Sequence, residues 1–231
     1  PRDRTRVRPN QSIGEQTIAR ANAGTVGAFD PSKPMQIWTI LLAAGRSSRL
    51  GSERGKKQFL PWRGLPLFWH SARVFASIPA VEGIVFVFPP GESEDHAAWA
   101  ERMARSETLG LARAFAEGGQ RRQDSVLAGL YALPRNCSHV LVHDAARPFL
   151  GPELVQRVVD RLAEGASGVV PGLPVTDTIK RVRDGAVEST PPREELYAVQ
   201  TPQGFEREAL LSAHERARAH RFTGIDYASL L

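Results

Sequence analysis

The chain has 231 residues, 42% of them hydrophobic, with a formal charge of +5 and a sequence pI of about 9.9. That is enough apolar material for one substantial core, and the basic balance favours anionic partners: nucleotides, phosphorylated small molecules or nucleic acid. A single cysteine, Cys137, excludes an internal disulfide and is expected to be a small buried hydrophobe; no apolar run is long enough for a membrane span, and the N-terminal arginines have no apolar segment behind them, so a cytoplasmic protein is expected.

Residues 1–34 are polar and lack apolar periodicity. They carry Arg2, Arg4, Arg6 and Arg8 and end in the breakers Gly24, Gly27, Pro31 and Pro34. They read as an extension outside the folded domain, poorly ordered or docked on its surface; a nucleic-acid-binding arm is the weaker option. From Gln36 the pattern alternates strand and helix, so residues 35–231 read as one domain. An unbroken apolar run over 37–42 suits a strand buried on both faces. Helical spacing follows over 65–75, with Pro66 suited to a first turn. A second apolar strand, 83–88, stops at Pro89 and Pro90. Then come a helix over 96–105, beginning near Ser93 or Asp95, a short strand over 114–117, a helix over 124–133, a strand over 139–142, a helix over 152–163 and a short strand over 168–170. This order predicts an α/β fold: a mostly parallel, Rossmann-like sheet with helices on both faces.

The rhythm breaks over 173–200. Segments 175–182 and 186–188 flank Asp184 and Gly185, a strong hairpin signal, and 197–201 reads as a strand returning to the sheet. An arm that leaves and returns has little to bury against alone, so it lies over its own domain or packs on a second chain. Residues 207–220 form a last amphipathic helix with Ala209, Leu210, Ala213 and Ala217 on one side.

The first strand ends in Ala43, Ala44 and Gly45, where bare backbone can approach a ligand and aim N–H groups at an anion. Arg46, Arg49, Arg54, Lys56 and Lys57 follow, balanced only by Glu53. Such a loop at the end of a buried strand suits a polyphosphate, yet neither the G-x-x-x-x-G-K-[ST] nor the G-x-G-x-x-G pattern is present. The bland alternative is an arginine-rich solvated loop. Open α/β sheets bind ligands outside the carboxyl ends of their strands, and three further segments fall there: 118–125 with two glycines and Arg122, 143–148 reading HDAARP, and 201–203. Asp144 could hold a divalent metal or accept from hydroxyls of a sugar or polyol. Arg147 has a structural option, hydrogen-bonding loop carbonyls. His143 reads as a packing residue, since no nucleophile or metal cluster accompanies it. The histidines are scattered, no C-x-x-C, H-E-x-x-H or G-x-S-x-G occurs, and a protein-built metal site is not expected.

Taken together, A-A-G-x-x-x-R, K-Q-F-L, G-G-x-x-R-x-x-S-V, V-H-D-A-A-R-P, V-T-D-T-I-K and Q-T-P-Q-x-F occur in order. The stretch 36–231 resembles the 2-C-methyl-D-erythritol 4-phosphate cytidylyltransferases of non-mevalonate isoprenoid synthesis; the ribitol-5-phosphate cytidylyltransferases share most of these motifs. The resemblance implies attack of an acceptor phosphate on the α-phosphorus of CTP, with Mg²⁺ held mainly by the nucleotide phosphates. Arg49 and Lys57 match the positions that stabilise the transition-state charge. Ala43, Ala44, Gly45, Gly119, Arg122 and Ser125 match the surroundings of the nucleotide, and Asp144 matches a contact to acceptor and ribose. Thr178 and Arg193 match arm residues that reach the site of the other subunit in a homodimer. No membrane partner is expected, since no run of about 18 apolar residues occurs, and no nucleic-acid partner, since the spacing puts the basic residues on a concave sheet edge rather than along an exposed face. Two departures stand out. The family usually continues beyond the position of Leu231 through a strand carrying an acceptor-positioning lysine, so this chain reads as part of a longer protein, with a fused downstream cyclase as one option. Ser47 and Ser48 also stand where relatives often carry glycine or arginine.

Overall fold

The structure is a computed structural model; it describes the backbone of residues 16–20 and residues 34–45, 56–107 and 109–220 in full. In chain order the elements are β1 (Gln16–Arg20), β2 (Ile37–Leu42), a small hairpin of β3 (Pro61–Trp62) and β4 (Leu65–Pro66), α1 (Leu67–Ala76), β5 (Val81–Phe88), α2 (Ser93–Glu107), β6 (Ala112–Glu117), α3 (Arg122–Tyr131), β7 (His139–Asp144), α4 (Pro152–Ala163), β8 (Gly168–Pro174), β9 (Arg181–Arg183), β10 (Ala186–Ser189), β11 (Tyr197–Val199), β12 (Gln203–Glu206) and α5 (Arg207–Ala219).

Parity along β2 explains its unbroken apolar run. Ile37 and Leu41 pack into a cluster with residues of α1, α2 and α4, whereas Trp38, Ile40 and Leu42 pack with residues of α3 and α5. A strand between two helical layers has no solvent face, so polar alternation is lost. α4 shows the complementary pattern: Leu154, Val155, Val158, Val159 and Leu162 form one buried stripe, and Pro152 sits in the first turn, where its missing N–H costs nothing. The first cluster is rich in rings. Phe68 meets Trp69, Phe86, Phe88 and Trp99 edge-on, with centroids 5.5–6.1 Å apart.

Strands β7, β2, β5 and β6 lie side by side and parallel. The chain runs from β2 outward through β5 to β6, then returns to place β7 on the other flank of β2. Strand order therefore reverses between β2 and β7, which makes their carboxyl ends the switch point where such sheets bind ligands.

Beyond β7 the expected parallel order is interrupted. β12 lies between β7 and β8 and is antiparallel to both. β11 pairs antiparallel with β8, Val199 opposite Gly172. β1 pairs antiparallel with the other edge of β8, Gln16 opposite Gly172 and Arg20 opposite Gly168. Part of the N-terminal extension is thus a strand of the sheet, although its composition gave no strand signal.

The arm also differs from its sequence reading. The hairpin turn at Asp184 and Gly185 is present, both residues having positive φ as a type I′ turn requires. Its strands are shorter than expected, since 175–180 is not strand and only β9 and β10 pair. Helix boundaries moved by up to three residues; α3 begins at Arg122 rather than 124, because Asp124 accepts from the Arg121 N–H at 3.2 Å and ties down the first turn.

Candidate active site

A cleft of about 540 Å³ opens at the switch point. Its lining joins four segments: Leu42, Ala44 and Gly45 after β2; Lys57 and Gln58 on a short 3₁₀ turn; 119–122 and Ser125 after β6; and Asp144, Ala146 and Arg147 after β7. Of the residues singled out from sequence, Ala44, Gly45, Lys57, Gly119, Arg122, Ser125 and Asp144 meet here. Ala43 is fully buried directly behind the turn, its N–H donating to the Val87 carbonyl at 2.8 Å. Arg49 lies outside the described residues, as do the other cations at 46 and 54.

The loop after β6 packs at Gly118 directly against the Ala44 methyl of the β2 turn. A Cβ on Gly118 would lie 2.4 Å from Ala44 Cβ, so only glycine lets these segments close up. Ser125 braces the same loop: the Gly119 N–H donates to its hydroxyl at 3.1 Å, and that hydroxyl reaches the Arg121 carbonyl at 3.2 Å. Gly45 has open space at its Cβ position, so it leaves the cleft floor clear rather than relieving a clash.

Asp144 is spanned by two guanidinium groups. Arg122 Nε donates to Oδ1 at 2.9 Å with Nη2 at 2.8 Å from the same oxygen, and Arg147 Nε lies 3.4 Å from Oδ2. The sequence offered Asp144 as a metal ligand or hydroxyl acceptor; the structure makes it the centre of an Arg–Asp–Arg array at the cleft wall. Among the described residues no group of three or more His, Cys, Asp or Glu is arranged to hold a metal. Arg147 turns to side chains rather than to loop carbonyls, donating to Gln200 Oε1 at 2.7 Å.

His143 fixes this corner from beneath. It is fully buried, with Nε2 3.2 Å from the Arg147 carbonyl and Nδ1 2.9 Å from Thr201 Oγ1. A carbonyl only accepts, so Nε2 carries the proton and the Thr201 hydroxyl donates to Nδ1. Burial pushes the pKa of this histidine down to about 4, which suits a neutral packing residue. Cys137 is buried as expected, and burial pushes its thiol up to about 12.

The turn bearing Lys57 is held on both flanks. Lys56 Nζ pairs with Glu92 at 2.5 Å, a contact that draws the Glu92 carboxyl below its usual range, and Phe59 stacks on the His96 ring with centroids 3.9 Å apart. Lys57 itself is exposed and lines the cleft. Arg121 bends back onto Asp124, Nε to Oδ2 at 2.9 Å, and this hydrogen bond holds the Asp124 carboxyl below its usual range.

Two expected residues are not brought to this cleft. Thr178 and Arg193 sit on the exposed arm, where Arg193 Nε lies 3.4 Å from Glu194. Gln58 is the cleft-lining residue the sequence left without a role. It appeared only as the second letter of K-Q-F-L, yet it is buried and donates to two carbonyls of the β2 turn.

The family model described as IspD, 2-C-methyl-D-erythritol 4-phosphate cytidylyltransferase, matches residues 37–231. The bifunctional enzyme IspD/IspF of Nitratidesulfovibrio vulgaris (strain DP4) is 52% identical over 199 residues, covering 85% of this chain and 50% of that protein. The bifunctional enzyme IspD/IspF of Lawsonia intracellularis is 48% identical over 198 residues, with the same coverage of 85% and 50%. The chain thus spans about half the length of the curated relatives it matches. Among solved structures, the 2-C-methyl-D-erythritol 4-phosphate cytidylyltransferase of Thermus thermophilus superposes with a TM-score of 0.64 at 34% identity, covering 85% of this chain and 83% of that one.

Proposed function

We propose that this chain, which belongs to the 2-C-methyl-D-erythritol 4-phosphate cytidylyltransferase family, transfers CMP from CTP to 2-C-methyl-D-erythritol 4-phosphate and releases pyrophosphate. The observation that carries this reading is the meeting, in one switch-point cleft, of a bare-backbone turn, Lys57, the Gly119 loop and the Arg122–Asp144 pair. Main-chain N–H groups and cations suit a triphosphate, and a held carboxylate suits hydroxyl groups.

In the proposed reaction an oxygen of the acceptor phosphate attacks the α-phosphorus of CTP in line. The bond from that phosphorus to the bridging oxygen breaks, and pyrophosphate carries away the electron pair. Negative charge grows on the α-phosphate oxygens, and Lys57 together with Arg49 offsets it by fixed charge, with no covalent intermediate. Asp144 is held by Arg122 and Arg147, so it meets ribose or acceptor hydroxyls without reorganising. Mg²⁺, when bound, would neutralise phosphate charge. The described lining offers it one carboxylate, already spanned by two arginines, so the triphosphate itself would supply most of its ligands. Thr178 and Arg193 would position the acceptor from the arm of a second copy. The proposed compartment is the cytoplasm: among the described residues no helix is long and apolar enough to cross a membrane, and both substrates are strongly charged.

Pyrophosphate release tests the reading. Turnover is expected with CTP and 2-C-methyl-D-erythritol 4-phosphate, and little with ribitol 5-phosphate or with ATP in place of CTP. Turnover with ribitol 5-phosphate alone, or with neither acceptor, overturns it.

A further inference from the structure

We propose that Gln58 is a positioning residue: its side-chain amide locks the peptide groups of the β2 turn and the turn bearing Lys57 into one rigid unit. This rests on the reading above that the cleft takes a nucleoside triphosphate. Gln58 is 2% exposed, and its Nε2 donates to the carbonyls of Ala43, at 2.5 Å, and Gly45, at 2.9 Å. One amide nitrogen thus uses both of its hydrogens on a segment 13 and 15 residues away in sequence.

The consequence follows from peptide geometry. In a trans peptide unit the C=O and the next N–H point in opposite directions. A carbonyl of Ala43 drawn down to Gln58 therefore aims the N–H of Ala44 the other way, and Ala44 lines the cleft. The oxygens of two peptide dipoles are also held against a buried donor, instead of turning toward a polyanion that they would repel. Gln58 cannot simply follow the turn if it shifts, because its neighbours are pinned: Lys56 by Glu92, and Phe59 by the His96 ring. Because Lys57 precedes Gln58, whatever fixes Gln58 also fixes the backbone from which Lys57 reaches into the cleft.

Two variants of the full chain separate this role from plain packing. Gln58→Leu fills the volume and removes both donors. It should raise KM for CTP and lower kcat, each by about tenfold, as expected for losing aligned hydrogen bonds that organise a charged site. Gln58→Glu faces two carbonyl oxygens with a carboxylate at high pH. Burial raises its pKa, so as pH falls from about 8 to about 6 the carboxyl gains a proton and one O–H donor returns. The ratio of its kcat/KM to that of the unmodified chain should climb over that range, while the ratio for Gln58→Leu stays flat. Wild-type KM and kcat in Gln58→Leu, or a flat ratio in Gln58→Glu, overturn the proposal. Hydrogen–deuterium exchange of the segment around 43–45 decides it independently of turnover. Uptake there should quicken in Gln58→Leu with the core strands unchanged, and unchanged uptake overturns the proposal. If the unmodified chain releases no pyrophosphate, the functional reading falls, and the exchange result still judges Gln58.

Discussion

His143 lies under the Asp144 corner and His214 lies on the face of α5 that packs against α3, and burial pushes the pKa of each down to about 4 from the ordinary 6.5. The direction of the resulting pH dependence follows. Above about pH 6.5 both rings are neutral whether the chain is folded or not, and they contribute no slope. Between 6.5 and about 4 the unfolded chain takes up protons that the folded chain refuses, so stability falls as pH falls. Each ring can contribute on the order of 3 kcal/mol at the low end of that window. Carboxylates such as Asp124, held below its usual range by Arg121, lose their own contribution at still lower pH, as they become protonated. Replacing one ring therefore isolates its share. Melting temperature measured from pH 8 to 4 should be flat at first and then decline, and His214→Leu should decline less steeply. A slope identical to that of the unmodified chain would remove His214 from this account.

The contact between the β2 turn and the loop after β6 is the element-level counterpart, and it turns on Gly118. Adding one methyl there puts carbon 2.4 Å from Ala44 Cβ and 2.9 Å from Ser125 Oγ, so the loop must shift away from the turn. Gly118→Ala should cost about 1–3 kcal/mol, the usual range for overpacking, and should weaken CTP binding at least tenfold by shifting the 119–122 segment that lines the cleft. Isothermal titration together with thermal melting checks both effects; unchanged affinity would mean that the two loops bind independently. The sequence made this region legible because parallel strands between two helical layers announce themselves as unbroken apolar runs with small or charged residues after them. It hid β12, whose Gln203, Gly204, Phe205 and Glu206 hold a single large apolar residue and take their identity from the ladders of β7 and β8. It hid β1 for the same reason: Gln16–Arg20 is short and mixed, and the open edge of β8 supplies its partners. At the site, composition marked Asp144 as important, but pairing with Arg122 bridges 22 residues and depends on topology. Gln58 was invisible for a related reason, because its acceptors are backbone carbonyls that carry no sequence signature.

At the scale of the whole molecule the arm is the unsatisfied part of a single chain. Val182 and Val187 on its hairpin are 56% and 63% exposed, and Ile179 is 39% exposed. Apolar β-branched residues in a two-stranded ribbon do not hold a fold alone, so a second copy crossing its arm over this domain would bury them. In such a dimer Lys57 of one subunit and Arg193 of the other serve the same site. Lys57→Ala should then lower turnover by two orders of magnitude or more, since it removes a fixed charge at the transition state. Arg193→Ala should damage acceptor use more than CTP binding. Mixing the two impaired proteins under conditions that exchange subunits gives the decisive outcome. Half of the dimers become mixed, and each mixed dimer holds one site with both cations intact, so about a quarter of the unmodified turnover should return. If Lys57 and Arg193 instead act within one chain, no mixture restores anything, and a sedimentation profile showing only monomers would remove the crossed arms altogether.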